Sequence, residues 1–309
     1  MINRELIRIK EIQTVYSFYQ NESMGASVAE KELLKSISYS YDLYKSLLLL
    51  LLEINRVAEQ MLDIRETRAR RLNDEQTFSQ KFVNNRFILQ LASNKQLLSF
   101  AQEMRFHWAD YEDFVRGLYT RVEVSDFYQE YMQQENSSYA DDREVWRRIY
   151  RSFICNNEEL DAILEDISIY WNDDKCIVDT FVLKTINRFR EDSDADQPLL
   201  PEYKDETDQE FAVRLLHHAL SNASYYHSLI ASTTRRWELE RIALMDRVIL
   251  QVALAEILSF PTIPVNVSIN EYLEIAKMYG GPASPRYINA TLDSIVKKLQ
   301  SENKLVKEA

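Results

Sequence analysis

Glycine is scarce in this sequence of 309 residues, which contains four glycines where ordinary usage would give about 22. Folds rich in β-hairpins, and α/β folds that cradle phosphates in glycine-rich loops, need positive φ at many turns. The shortage argues against both classes and predicts an all-helical protein. The two cysteines, Cys155 and Cys176, fit neither a disulfide framework nor a zinc spacing, which favours a reducing cytoplasm as the location.

Signatures of catalysis, metal binding and membrane insertion are also missing. The sequence has no GxGxxG, Walker or GxSxG motif, and its four histidines do not form a metal site by their spacing. The first residues lack an apolar targeting segment. The most apolar run, 47–52, is far shorter than the roughly 20 residues of a membrane span. We therefore expect no catalytic residue, no cofactor, no metal and no membrane partner.

The formal net charge of −12 is unevenly distributed along the chain. Residues 191–210 contain nine acidic residues and one lysine, whereas residues 1–20 and 241–309 each sum to +1. The net negative charge of the protein disfavours binding to nucleic acid, because phosphate contacts need clustered Lys and Arg. Both ends of the chain nevertheless remain able to meet a polyanion.

Two helices are predicted in the first quarter of the chain. Residues 2–20 carry apolar side chains at helical spacing with Arg4 and Arg8 at one flank, which predicts an amphipathic helix. A long helical pattern follows from the Ser27 capping box to about Arg71. That helix ends in four arginines, which fit either a solvated helix end or an RNA surface: Arg65, Arg68, Arg70 and Arg71.

The remainder is also predicted to be helical, with an acidic linker at 191–206. A Thr207 capping box opens a helix to about residue 232, and residues 241–260 are apolar nearly all round, which predicts a central helix. Glu256 lies within that helix, so we expect its carboxylate to be satisfied by a neighbouring helix. Two further helices are indicated by a Ser268 capping box and by Ser284 before a proline.

An ordered series of short motifs resembles the NusB family. The motifs are Ile12–Phe18, Trp237–Arg241, Met245–Leu250, Ala255–Leu258, Ile263–Val265, Ser268–Glu271, Ile275–Lys277 and Tyr287–Asp293. The resemblance covers residues 2–20 and 207–300 and implies an all-α, NusB-like bundle of two packed helical subdomains with an additional helical insertion. The domain order it suggests is 1–20 as the first helix, 21–190 as the insertion, 191–206 as the acidic linker and 207–301 as the C-terminal bundle.

The resemblance implies a non-enzymatic, cytoplasmic RNA-binding factor for transcription antitermination in ribosomal RNA synthesis. Its implied partners are boxA-like single-stranded RNA of rRNA leaders, the small-subunit ribosomal protein NusE and the transcription elongation complex. The RNA-binding residues it implies are Arg4, Arg8, Lys10, Arg286 and Tyr287. The residues it implies for the protein partner are Tyr16 and Asp246. Tyr16 also fits a core position, and Tyr287 also fits a cap on the bundle.

Two departures from the family pattern leave other functions open. The first helix has fewer arginines than is usual in the family, and Ala290 stands where glycine is usual. Fewer cations predict weaker RNA affinity unless the arginines at 65–71 compensate. Because the protein is acidic overall, one alternative is a helical interaction scaffold without RNA binding. Another is an rRNA cytosine methyltransferase fused to such a domain, but the glycine-rich cofactor loop of those enzymes is absent from these 309 residues.

Overall fold

The computed structural model describes residues 2–21, 23–171, 173–233 and 242–305, and the fold of these residues is all-α, as predicted. The helices are α1 Arg4–Gln20, α2 Ala26–Arg71, α3 Arg86–Ser93, α4 Lys95–Glu103, α5 Glu112–Glu123, α6 Asp126–Gln133, α7 Tyr139–Ile149, α8 Glu158–Ile167, α9 Lys175–Arg188, α10 Glu206–Ser221, α11 Ala223–Thr233, α12 Leu244–Ser259, α13 Val265–Tyr279 and α14 Ser284–Ser301. The described residues also contain a 3-10 turn at Trp108–Tyr111 and a π-helical turn at Tyr150–Ile154. The motif Trp237–Arg241 lies outside the described residues.

The chain forms two compact units. One, here called the terminal unit, comprises residues 2–38 and 203–309, and the other, the insertion unit, comprises residues 39–202. Helix α2 is continuous through residue 38, so its first three turns belong to the terminal unit and the rest to the insertion unit. The sequence expectation placed the first boundary after residue 20 and the second within 191–206, and the two units observed here divide after residues 38 and 202.

Helix α1 is a central element of the terminal unit rather than the surface helix that its sequence suggests. It packs against α10, α12 and α13. Nine of its seventeen residues are buried, and they include the charged residues Arg8, Lys10 and Glu11. The expected basic flank is therefore not an open surface at residues 8 and 10, because helices cover α1 on several sides.

Helix α12 confirms the central helix that the apolar run predicts. Ten of its sixteen residues are buried, and it packs against α10, α11, α13 and α14. Helix α13 ends at Tyr279, and Gly280 occupies its C-cap. These helices, together with α1, form the core that positions the candidate site.

Three of the predicted helix boundaries differ from those observed. Helix α10 is capped by Asp205, whose side chain accepts a hydrogen bond from the Thr207 amide at 3.0 Å, so Thr207 is not the cap. The helix expected to run to residue 232 breaks at Asn222. Ser268 lies one turn inside α13, where its hydroxyl is buried. Each pattern located a helix, but competing Asp and Pro residues nearby set the actual start.

Gly280 is held by close packing between α13 and α14, and we expect Gly280→Ala to destabilise this corner by about 1–3 kcal/mol. A Cβ at this position would lie 2.5 Å from Ser284 Cβ and 2.6 Å from the Ala276 carbonyl oxygen. Gly281→Ala is the matched control, since its Cβ would meet only Ser284 Oγ, at 3.7 Å. Urea unfolding of the two variants checks this, and equal losses would contradict it.

The insertion unit has its own aromatic core. The Phe82 ring stacks on Trp146 with centroids 4.9 Å apart, and it meets Tyr128 edge-on at 5.0 Å. The segment expected to be an acidic linker contacts this unit over much of its length. Gln90 Nε2 donates hydrogen bonds to three carbonyls of residues 190–193, and the side chains of Leu199 and Leu200 are buried.

Candidate nucleic-acid interface

Arg8 is the centre of a buried ion cluster in the terminal unit. Its Nε and Nη2 donate hydrogen bonds of 2.8 and 2.9 Å to the two carboxylate oxygens of Glu256 on α12. Its Nη1 donates to Glu271 on α13 at 2.9 Å. The Arg8 side chain is only 4% exposed and that of Glu256 is 0% exposed. The partner expected for Glu256 is therefore an arginine 248 residues away, on the first helix.

Hydroxyl groups complete the coordination of Glu256. Ser268 Oγ donates to one carboxylate oxygen at 2.7 Å, and the Tyr272 hydroxyl donates to the other at 3.0 Å. Burial by itself lowers the pKa of Arg8, but the hydrogen bond and charge of Glu256 more than offset this and raise it. The cluster therefore fixes α1 against α12 and α13 through a charged arginine. The hydrogen bonds of Arg8 and Glu256 given above all join residues of this protein.

Glu11 is buried one turn after Arg8, and neither of its carboxyl oxygens has a hydrogen-bond partner. Burial, followed by the negative charge of Glu256, raises the pKa of Glu11 well above its ordinary value. The same two causes raise the pKa of Tyr272. Burial thus favours the protonated form of Glu11 beside the Arg8–Glu256 pair.

Arg4 is the accessible cation at the start of α1. Its guanidinium lies 5.0 Å from the centroid of the Phe211 ring on α10, and its Nε lies 3.4 Å from Asp208 Oδ1. The side chain is 42% exposed, so it can still reach a ligand. Lys10, by contrast, is 1% exposed and has interactions within the chain. Of the three cations predicted on α1, only Arg4 is available to solvent.

The second predicted RNA-contact region lies at the start of α14. Arg286 is exposed, and Tyr287 is half-buried and has interactions within the chain. Gln13 Nε2 on α1 donates to the Tyr279 hydroxyl at the end of α13, at 3.1 Å. This contact places the middle of α1 beside the turn that leads into α14. Arg4 is nine residues from Gln13, which corresponds to about 14 Å along the helix axis.

The two residues predicted to face a protein partner lie at the opposite end of α1. Tyr16 is half-buried, and its hydroxyl accepts a hydrogen bond from Gln20 Nε2 at 3.1 Å. Asp246 lies in the first turn of α12, next to Arg247, whose guanidinium is 5.9 Å from the Tyr19 ring centroid. The C-terminal end of α1 and the N-terminal end of α12 therefore meet, and they bring both candidates to one end of the unit.

The arginine run at the end of α2 is partly used within the insertion unit. Arg65 pairs with Glu123 on α5, and Arg70 pairs with Glu66 one turn before it at 3.2 Å. Arg65 is thus tied to α5, whereas Arg68, Arg70 and Arg71 are all exposed, with Arg70 paired only within α2. Whether these arginines form a solvated helix end or an RNA surface stays a prediction.

The sequence patterns missed two elements of the site. One is Phe211 on α10, whose ring lies 5.0 Å from the Arg4 guanidinium and 5.8 Å from that of Arg8. Gln251 on α12 joins α1 to α11, because its amide oxygen accepts from the Tyr19 hydroxyl at 2.9 Å and lies 2.8 Å from His227 Nε2. A polar residue inside the apolar 241–260 run was the available signal for Gln251.

The described residues contain no group of three or more His, Cys, Asp or Glu side chains that could hold a metal ion. In the same ranges, no helix has both the length and the apolar character that a membrane crossing requires.

The fold and this site define an all-α protein whose first helix is clamped by a buried ion pair into a bundle of C-terminal helices. The family model described as "NusB family" matches residues 177–297. The transcription antitermination protein NusB of Salinibacter ruber is 33% identical over 132 residues, covering 41% of this chain and 82% of that protein. The NusB of Geotalea daltonii is 35% identical over 133 residues, covering 43% and 88%. The chain therefore belongs to the NusB family.

Coverage varies among the relatives. The NusB of Koribacter versatilis is 42% identical over 94 residues, which span 30% of this chain and 64% of that protein, slightly less than two thirds. A solved structure of T. maritima NusB is 32% identical, covers 40% of this chain and 78% of that one, and has a TM-score of 0.31. The family-model match begins inside α9, so residues 39–176 lie outside it.

Proposed function

We propose that this protein is a non-enzymatic, RNA-binding transcription antitermination factor of ribosomal RNA synthesis. The observation that carries the proposal is the assembly of α1 with the C-terminal helices into one unit. Residues from both ends of the chain, which the family resemblance assigns to RNA, thereby belong to a single compact body. In this proposal the protein acts in the cytoplasm with the transcription elongation complex and binds boxA-like RNA together with the ribosomal protein NusE.

The residues take different roles in this proposal. Arg286 and Arg4 contact phosphates, because both are accessible cations. Tyr287 stacks on an unpaired base. Arg8 and Lys10 hold α1 in place from within the core, because both are buried.

The protein partner is proposed to bind at the other end of α1. Tyr16 and Asp246 are both half-exposed there. Asp246 lies in the first turn of α12 and is half-exposed, so its accessible carboxylate oxygen can accept a hydrogen bond from a partner. NusE is the partner we assign to this surface.

A helical scaffold that does not bind RNA is the second candidate. It is favoured by the burial of two of the three predicted α1 cations and by the charge of the terminal unit, which has 17 basic and 18 acidic residues. A near-neutral body provides little long-range attraction for a polyanion. RNA binding measured directly separates the two candidates.

We expect Arg286→Ala to weaken binding of a boxA-like RNA and to reduce the salt dependence of binding. Loss of one phosphate contact lowers the slope of log K against log salt by about 0.7 for single-stranded nucleic acid. Tyr287→Leu is expected to lose one stacking contact, roughly 1–3 kcal/mol, without changing the salt slope. Fluorescence anisotropy of labelled RNA with the full chain, with and without the ribosomal protein, measures both quantities.

Lys297→Ala is the matched control for Arg286→Ala. Lys297 is an exposed cation on the same helix, it is paired with Asp293 at 2.6 Å, and it lies eleven residues further along, or about 16 Å. This variant should bind RNA as the wild type does. Equal losses in both variants would indicate unspecific charge attraction, and no binding with the ribosomal protein present would favour the scaffold.

A further inference from the structure

A cavity of about 350 Å³ opens on the insertion unit. Its walls come from α2 beyond Tyr39, from the end of α4, and from the end of α8 with the turn that follows. Four of its lining side chains are aromatic: Tyr39, Phe100, Phe106 and Trp171. The Phe106 and Trp171 rings meet edge-on at 5.6 Å, and Trp171 Nε1 donates to the Tyr39 carbonyl at 2.8 Å. Part of the aromatic wall is thus fixed by internal contacts before any ligand binds.

Carboxylates accompany the aromatic rings. Asp42 and Glu103 line the cavity, and Glu103 is exposed and forms no ion pair with a described residue. Arg105 is the single cation among the described lining residues and is itself exposed. An aromatic wall with carboxylates at its edge is suited to an organic cation.

The chain already holds one organic cation in this way. Lys45 Nζ lies 4.0 Å from the Phe100 ring centroid and 4.5 Å from that of Tyr41. It also lies 3.0 Å from Asp42 Oδ1. Phe100 and Asp42 belong to the cavity lining, so the chemistry that holds an ammonium group is present on this wall.

The charge of the whole unit selects the class of partner. Residues 39–202 contain 20 basic and 31 acidic residues, a net charge of −11, whereas the terminal unit carries −1. Such a body attracts cationic ligands and repels nucleic acid. RNA is therefore disfavoured here even though aromatic rings line the cavity.

We propose that this cavity binds an arginine or lysine side chain from a basic segment of a protein partner. The aromatic rings contact the cation and its aliphatic stem, and Glu103 pairs with the charge. This site is separate from the proposed RNA contacts of the terminal unit and does not depend on them.

The test uses the full chain and a capped peptide of alternating arginine and glycine, with a citrulline-for-arginine version as the neutral comparison. Methyl NMR is expected to show shifts at Met104 and Ile167, which line the cavity, on addition of the arginine peptide. Ile64, which is exposed on α2 eighteen residues beyond Ser46, is about 27 Å along that helix and should not shift. The citrulline peptide should leave all three unchanged.

Glu103→Gln is expected to weaken binding of the arginine peptide about two- to five-fold, the range for an accessible ion pair. Glu75→Gln is the matched control, because Glu75 is an exposed glutamate of the same unit outside the cavity. It removes the same charge and should have no comparable effect.

Three results would overturn the proposal. Equal weakening by Glu103→Gln and Glu75→Gln would mean unspecific attraction to an acidic surface. Shifts of Met104 and Ile167 with an RNA oligonucleotide, but not with the peptide, would assign the cavity to nucleic acid. An absence of methyl shifts with the arginine peptide would mean that the cavity does not bind it. Loss of RNA binding by the terminal-unit variants would change neither the methyl shifts nor the peptide affinity. The RNA-binding proposal and the cavity proposal can therefore fail separately.

Discussion

Replacing Arg8 with methionine is expected to lower the free energy of unfolding of the terminal unit by about 3–5 kcal/mol. The cost arises because Glu256, which is fully buried, would keep only the hydroxyls of Ser268 and Tyr272 after the guanidinium is removed. Leaving one buried charge without its partner costs far more free energy than the intact ion pair contributes to stability. Hydrogen exchange of the buried amides of α1 and α12, compared at one pH, measures the loss within this unit.

Arg4→Met is the control for that experiment. Arg4 lies on the same helix, its side chain is 42% exposed, and its contact with Asp208 is 3.4 Å, so the expected loss is below about 1 kcal/mol. The double variant Arg8→Met with Glu256→Leu is expected to recover most of the stability, because no buried charge remains unpaired. Glu271 also loses Arg8, but its side chain is 36% exposed and stays hydrated. If Arg8→Met behaved like Arg4→Met, the ion pair would not hold α1 in place.

The helix positions could be predicted from local sequence, but the environment of α1 could not. Apolar spacing located α1, because its period reflects a face turned toward the core, and the nearly continuous apolar run of residues 241–260 located the central helix α12. Arg8 looked like part of a basic flank, since nothing within α1 shows that α12 and α13 cover that side. Its partner Glu256 is 248 residues distant. The carboxylate of Glu256 in an apolar helix indicated that a neighbour would satisfy it, but not that the neighbour would be Arg8.

The insertion unit was the least predictable part for a related reason. Its helices follow from ordinary periodicity, whereas its cavity depends on segments that are far apart in sequence, such as Tyr39 and Trp171. The acidic charge was assigned to a linker at 191–206. In the structure residues 191–202 belong to the insertion unit, which carries −11 of the total −12. Nearly all of the net negative charge thus lies on the insertion unit, and the terminal unit is nearly neutral.

Glu11→Gln is expected to change the pH dependence of stability of the terminal unit. Because the pKa of Glu11 is raised in the folded protein, the native state keeps a proton that the unfolded chain releases above its ordinary pKa of 4.5. The contribution of Glu11 to the free energy of unfolding therefore falls as the pH rises from 4.5 toward the pKa of Glu11 in the folded protein. The decrease is at most about 1.4 kcal/mol per pH unit. Glutamine cannot ionise. The free energy of unfolding of Glu11→Gln relative to the wild type should therefore increase as the pH rises through this window and should be constant below it.

Hydrogen exchange of α1 amides in wild type and variant, compared at each pH, provides this measurement, since the intrinsic exchange rate then cancels. The ionisable groups that interact electrostatically with Glu11 are Glu256 on α12 and Tyr272 on α13. Glu5→Gln is the control, because Glu5 is exposed on the same helix, and its profile should run parallel to that of the wild type. If Glu11→Gln also ran parallel, the Glu11 carboxyl would be ionised in the native state. The core would then hold two carboxylates beside one arginine, which burial without hydrogen bonds makes unfavourable.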